Sequence, residues 1–250
     1  NSFGFIIAGL LAFLIVFKNF GVRFKVPSFK EIKHQLKEGW FIFISTVAIS
    51  LYTISNTFIL GLFTNNTIVG YYSAAEKLIK AAQGFLSPIS QTVYPHISKL
   101  VSVSKEAGIR FIKKITVLVG GFSFVLSLLI FIFAKIIVKI ILGIQFEKSI
   151  IVLRILAFLP FIIGLSNIFA VQGLYAFKFQ SVVAKFVVLI AFSHLFLLLI
   201  LTYFYSFLGT AVAVVITETF ITIFSIRYFY KFILNKNKIK NNISKCDVYE

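Results

Sequence analysis

Methionine is absent from the 250 residues, cysteine occurs once, at Cys246, and aspartate once, at Asp247. A single thiol excludes an intrachain disulfide and suggests no metal cluster. With one Asp and scattered Glu, the chain lacks the paired carboxylates that hold Mg²⁺ for phosphoryl or glycosyl transfer. His34, His96 and His194 fall on separate segments without ligand spacing, and no Ser/His/Asp set, Gly-rich phosphate loop or CxxC pair is visible. Neither an enzyme nor a cofactor is expected. The chain opens on Asn1 directly before an apolar run, without a basic leader region or a small-residue cleavage site. It reads as a piece of a longer protein, not as one beginning with a signal peptide.

What is present is hydrocarbon. Hydrophobic residues make up 59% of the chain, 32 of them are Phe, and the mean hydropathy is +0.99, far outside the range of a soluble domain of this size. Apolar segments near the roughly 20 residues that span a bilayer as a helix fall at about residues 3–17, 40–62, 68–97, 115–134, 150–172, 182–204 and 208–234. Strands of a β-barrel would alternate in polarity over about 10 residues, and these runs do not. The expected fold is an all-α polytopic transmembrane bundle of about seven spans.

A net charge of +17 would suggest nucleic acid in a soluble protein. Here the basic residues sit mainly between apolar runs, where the positive-inside rule accounts for them, and no nucleic-acid partner is expected. Nineteen of the 25 Lys and Arg collect on one side, in residues 18–37, 99–114, 178–185 and 227–245, against four between 135 and 154. The first side is read as cytoplasmic, with Asn1 outside and Glu250 inside. Residues 135–148 are amphipathic and too short to cross again, so they read as an interfacial helix on the outer face. The extramembrane segments, 18–39 and 235–250 among them, are too small for a catalytic domain.

The polar residues of the spans form faces. Glu76, Lys80, Gln83, Ser87 and Gln91 recur at steps of three and four, the spacing of one helix face. Each charge near the bilayer centre costs on the order of 2.5–3.5 kcal/mol on insertion scales, so this face is expected to border an aqueous route. Glu76 and Lys80 are spaced to pair along the helix. Lys77 points about 100° away and either joins the route or snorkels to the headgroups. Thr46, Ser50, Thr53 and Thr57, with Asn56 beside them, form a second stripe, and Glu218, Thr222 and Ser225 a third. Such stripes also serve as glue between helices, and His194 reads as a packing hydrogen bonder of that kind. Glu218 either exchanges a proton or ion or pairs with a Lys such as Lys185.

The run from Asn56 to Leu100 resembles the polysaccharide-biosynthesis flippases, the O-antigen translocases of the multidrug/oligosaccharidyl-lipid/polysaccharide exporter superfamily. The matching residues are Asn56 with Ile59-Leu60-Gly61, then Val69-Gly70-Tyr71-Tyr72-Ser73, Ala75-Glu76-Lys77, Pro88 and Tyr94-Pro95. A second stretch, from Gly143 through Ser149 and Leu153 to Ala157, and on to Pro160, is similar to the family's next landmark. The resemblance implies about twelve helices in two six-helix lobes around a central cavity, in the bacterial inner membrane. Residues 1–38 would then hold the last helix of the first lobe and a cytoplasmic linker, 39–234 the second lobe, and 235–250 a basic cytoplasmic tail. It further implies translocation of an undecaprenyl-diphosphate-linked oligosaccharide, a partner lobe in the same protein, and contact with membrane lipids and other glycan assembly proteins. On that reading Lys77, Lys80 and Lys185 supply charge for the phosphates, Glu76, Gln83, Gln91 and Asn56 line the cavity, and Glu218 couples an ion. A multidrug exporter of the same superfamily and a membrane glycan polymerase or ligase are the rival readings.

Overall fold

The computed structural model describes residues 2–20 and 27–234; the tail at 235–250, expected to be basic and cytoplasmic, lies outside them. The described residues are helical, without a strand, and the chain is an all-α polytopic membrane bundle. Contacts divide it into two compact units, Asn1–Trp40 and Phe41–Glu250.

In the first unit α1 runs Ser2–Phe20 and α2 begins at Phe29. Apolar side chains along α1 such as Phe5, Leu10 and Leu14 are exposed, the state of a helix whose surroundings are lipid or another helix. The start of α2 is set by a reciprocal cap. Glu31 takes the Ser28 backbone N–H at 2.7 Å, while Ser28 Oγ receives the Glu31 N–H at 3.3 Å. The backbone donor first, and then the Ser28 hydroxyl, hold the Glu31 carboxyl below its usual range.

Elements of the second unit follow from the breaks in the apolar pattern. Helix α2 (Phe29–Phe63) ends before Asn65, whose side chain accepts from the Ile68 N–H and caps α3 (Asn66–Gly84). After α3 come α4 (Ser87–Val103), α5 (Lys105–Ile141), a 3₁₀ turn (Ile144–Phe146), α6 (Ser149–Leu156), α7 (Leu159–Asn167) and a π-helical stretch (Ile168–Tyr175). Helix α8 (Gln180–Tyr228) folds back on itself at Ser206 (φ 54°, ψ −138°) and continues into a second π-helical stretch, Phe229–Leu234. Thr202 and Thr210 hydroxyls meet at 2.9 Å across that turn, so α8 is two antiparallel arms.

Among the described residues, four helical stretches are long and apolar enough to cross a membrane: Gly39–Phe63, Lys105–Ile141, Ser149–Tyr175 and Gln180–Lys231. The last supplies two crossings because of the Ser206 turn, in keeping with the separate spans expected at 182–204 and 208–234. Two expectations need correction. Residues 68–97 are not one helix: α3 stops at Gly84 and α4 restarts at Ser87, because Pro88 has no N–H to give and its ring displaces the carbonyl four residues back. Nor is 135–148 a separate interfacial helix. Helix α5 runs on to Ile141 and stops only where Gly143 takes φ 91°, so its 37 residues, about 55 Å by helical rise, absorb the first half of that segment.

The exterior is at least as apolar as the interior. On α2, Leu51, Ile54, Phe58 and Leu62 are exposed while Ser45, Tyr52 and Asn56 are buried, the polarity expected where the outside solvent is hydrocarbon. Inside, one cluster gathers Ile97, Ile112, Val187, Ile221 and Phe229, and another Leu60, Tyr72, Ile79, Val138 and Leu156. Polar bonds tie the broken helices into this core. Pro160 in the first turn of α7 leaves backbone donors without helical partners, and the Phe161 N–H goes to Ser127 Oγ on α5 at 3.2 Å. Ser149 Oγ on α6 donates to the Tyr71 carbonyl on α3 at 2.8 Å.

The turn of α8 is the tightest point. A Cβ at Gly209 would run into the Leu201 carbonyl, whereas one at Gly121 would meet nothing within 4 Å. Gly209→Ala is expected to lower stability by about 1–3 kcal/mol and Gly121→Ala, at an open mid-helix position, to raise it by up to about 1 kcal/mol, as read by thermal denaturation in detergent. At Ser206, whose positive φ suits glycine, Ser206→Gly is expected to raise the melting temperature in the same assay.

Candidate functional site

Helices α2, α3 and α7 and both arms of α8 enclose a hollow of about 280 Å³ within the second unit. Tyr52, Thr53 and Asn56 face it from α2; Tyr72, Glu76, Lys80 and Gln83 from α3; Ser166 and Asn167 from α7; Glu218 from the second arm of α8. The α3 face arises because positions 72, 76, 80 and 83 stack along one side of the helix. Lys80 Nζ lies 3.0 Å from Glu76 Oε1, with the Glu76 side chain 15% exposed and Lys80, at 52%, reaching out toward the rim. This is the spaced pairing that the sequence predicts.

Deeper in, two polar links join α2 to α8. Tyr52 Oη donates to Glu218 Oε1 at 2.7 Å, with Tyr52 4% and Glu218 9% exposed. His194, 1% exposed, bridges Asn56 Oδ1 at 2.8 Å through Nε2 and Thr217 Oγ1 at 2.6 Å through Nδ1. An amide oxygen only accepts, so Nε2 carries a proton. The Thr217 hydroxyl is shared between Nδ1 and the Ala213 carbonyl, 2.9 Å away. The rings of Tyr52 and His194 lie 5.3 Å apart, placing the two links side by side. One carboxyl, one phenol, one imidazole, one amide and one hydroxyl thus meet in an apolar interior, each with a partner.

Of the residues that the sequence singles out, Asn56, Glu76, Lys80, Gln83 and Glu218 line this hollow, and Lys77, Gln91 and Lys185 do not. Lys77 is exposed, as its 100° offset from the lining face requires. Gln91 belongs to α4, beyond the break, where its side chain donates to Ser87 Oγ at 3.1 Å. The stripe from Glu76 to Gln91 is therefore two faces on two helices. Lys185 is exposed on the first arm of α8, and the hydrogen-bond partner of Glu218 is Tyr52. On α2 the buried polar face runs through Ser45, Tyr52 and Asn56; Thr46 and Thr53 bond the carbonyls of Ile42 and Ile49 on their own helix. Glu218, Thr222 and Ser225 are all buried, as their spacing suggests.

Tyr52, Thr217, Ser166 and Asn167 were not legible as site residues. Tyr52 gives a faint signal, four residues before Asn56 and so on its face. Tyr72 had a place only within the Gly-Tyr-Tyr-Ser run. Its hydroxyl is buried on the wall of the hollow and has no hydrogen-bond partner among the described residues.

A lipid-facing exterior around a polar-walled hollow makes this a multi-pass membrane protein. The family model described as polysaccharide biosynthesis protein matches residues 1–101. Among curated relatives, the "Putative O-antigen transporter" of Escherichia coli (strain K12) is 32% identical over 217 residues, 87% of this chain and 52% of the relative. That of Shigella dysenteriae is 28% identical over 227 residues, 91% of this chain and 57% of the relative. The chain is thus similar to this polysaccharide-biosynthesis family over residues 1–101 and to two putative O-antigen transporters, and it spans about half the length of the curated relatives it matches. No solved structure matches.

If the Tyr52–Glu218 bond contributes to holding α2 on α8, Tyr52→Phe and Glu218→Leu, each of which removes it, will be non-additive. A double-mutant cycle on thermal stability is expected to give a coupling of about 0.6–1.7 kcal/mol, the range of interhelical bonds in membranes.

Proposed function

We propose that the chain forms one half of a transporter that moves a lipid-linked oligosaccharide across the bacterial inner membrane, from the cytoplasmic to the outer leaflet, without chemical change to the cargo. The observation that supports this is the convergence of Asn56, Glu76, Lys80, Gln83 and Glu218, drawn from three helices, on one hollow. Its volume of about 280 Å³ is at or below the small end of drug-sized sites, roughly 300–1,000 Å³. It therefore supplies one wall of a route, and the remainder of the protein supplies the facing wall.

The chemistry of the wall suits such a cargo. Sugar hydroxyls donate and accept, and Asn56, Gln83, Asn167 and Ser166 do both. The Tyr72 hydroxyl offers a further bond to the cargo. Lys80, half-exposed above its Glu76 partner, is the cation placed to meet a diphosphate at the rim. Rocking of two lobes would open the wall to each side of the membrane in turn. Glu218, buried beside Tyr52, exchanges a proton or cation and so couples that motion to a gradient.

Drug export within the same superfamily is favoured by one feature, the two carboxylates of Glu76 and Glu218 against a single Lys on the wall. Surface O-antigen separates the readings. Lys80→Ala is expected to abolish display of the glycan while the protein stays in the membrane, as read by gel analysis of surface polysaccharide and by immunoblot of membranes. Normal surface polysaccharide in that variant removes Lys80 from the site. In a gradient-driven uptake assay Glu218→Gln is expected to blunt the response to an imposed ion gradient, and an unchanged response would make Glu218 a packing residue only.

A further inference from the structure

A second concavity lies between the two arms of α8, away from the Ser206 turn, and shares no lining residue with the polar hollow. This groove measures about 360 Å³. Its floor is aromatic: Phe186 of the first arm stacks nearly parallel on Phe224 of the second, with ring centroids 3.3 Å apart, and Phe224 meets Tyr228 at 5.6 Å. Phe220 and Ile223 extend the apolar wall and are 60% and 44% exposed. The groove also borders Arg227 and Lys231, both exposed and about one helical turn apart, and none of the described residues that line it is acidic.

Two cations beside an open aromatic trench match one molecule of the surroundings better than any other, a lipid with an anionic headgroup. We propose that this groove is a binding site for an anionic glycerophospholipid, with its phosphate on Arg227 and Lys231 and an acyl chain along Phe186, Phe220 and Ile223. Arg offers a planar fork of donors to a phosphate and Lys a point charge. A membrane-surface cation contributes about a factor of five toward an anionic lipid. The apolar trench adds chain contact that a soluble phosphate could not use. Arg227 and Lys231 lie on the side that the distribution of basic residues marks as cytoplasmic. The inference is independent of what the polar hollow carries.

The test uses the full-length protein in a mild detergent, titrated with dioctanoyl phosphatidylglycerol and, separately, with dioctanoyl phosphatidylcholine, and read by native mass spectrometry. The wild type is expected to retain phosphatidylglycerol at least about tenfold more tightly than phosphatidylcholine. The double variant Arg227→Gln/Lys231→Gln should lose that preference, and Lys113→Gln/Lys114→Gln, which removes two basic residues outside the groove, should keep it. Ile223→Trp, which fills the trench, should weaken phosphatidylglycerol binding several-fold. Equal binding of the two lipids to the wild type would overturn the proposal. So would an unchanged preference in Arg227→Gln/Lys231→Gln, or full affinity in Ile223→Trp. Failure of the wild type to take up lipid, as when another part of the protein or a second copy covers the groove, would overturn it as well.

Discussion

Hydrocarbon offers no hydrogen bonds, so every polar group in a membrane interior must find its partner within the protein. The second unit of this chain is organised around how it meets that demand. Tyr52, Asn56, His194, Thr217 and Glu218 satisfy one another across α2 and the two arms of α8. An apolar contact between helices could slide in register at little cost where lipid is as good a neighbour as leucine. Paired donors and acceptors at 2.6–2.8 Å cannot slide without leaving a buried group alone. These bonds set where α2 stands, and the hollow exists because α2 stands there.

The broken helices serve the same end. A proline near the start of α4 and another near the start of α7 each interrupt what composition alone would make a single rod. The interruption frees backbone groups and turns the chain, and side chains of neighbouring helices collect what is freed, as Ser127 does for Phe161. Glu76 and Lys80 are consequently carried on a 19-residue helix that packs chiefly through Tyr72, Ala75, Ile79 and Ala82. Small residues on that seam allow close approach, which brings a charged face near the middle of the bundle while Lys80 still reaches outward. The cost of two charges is offset by their pairing.

Much of this was legible in the chain. Long Phe-, Leu- and Ile-rich runs define helices in lipid because the other backbone that satisfies itself there, a closed barrel, would alternate in polarity, and the α3 face follows from spacing alone. The resemblance at Val69 through Lys77 points the same way as the family match over residues 1–101 and the two relatives. What could not be read depends on partners distant in sequence. His194 is a single polar residue in an apolar arm, and nothing nearby announces that Asn56, 138 positions earlier, will lie against it. Tyr52 carries only its spacing from Asn56 until Glu218 is placed beside it. The split at Gly84–Ser87 lies within an unbroken three-and-four spacing, and of the residues there only Pro88 marks it. Lys77 and Lys185 share the charge that a phosphate needs but not the direction, and direction is set by packing.

The reversal at Ser206 couples loop length to chemistry. Because the second arm emerges from it in one unbroken helix, every residue gained or lost between Tyr205 and Gly209 would turn Thr217 and Glu218 together by about 100°, away from His194 and Tyr52. Connections elsewhere on such a protein can lengthen with little consequence. This one acts as a phase setting: the number of residues in the turn belongs to the site as much as the side chains do, and drift in its length should be as rare as loss of Glu218 itself.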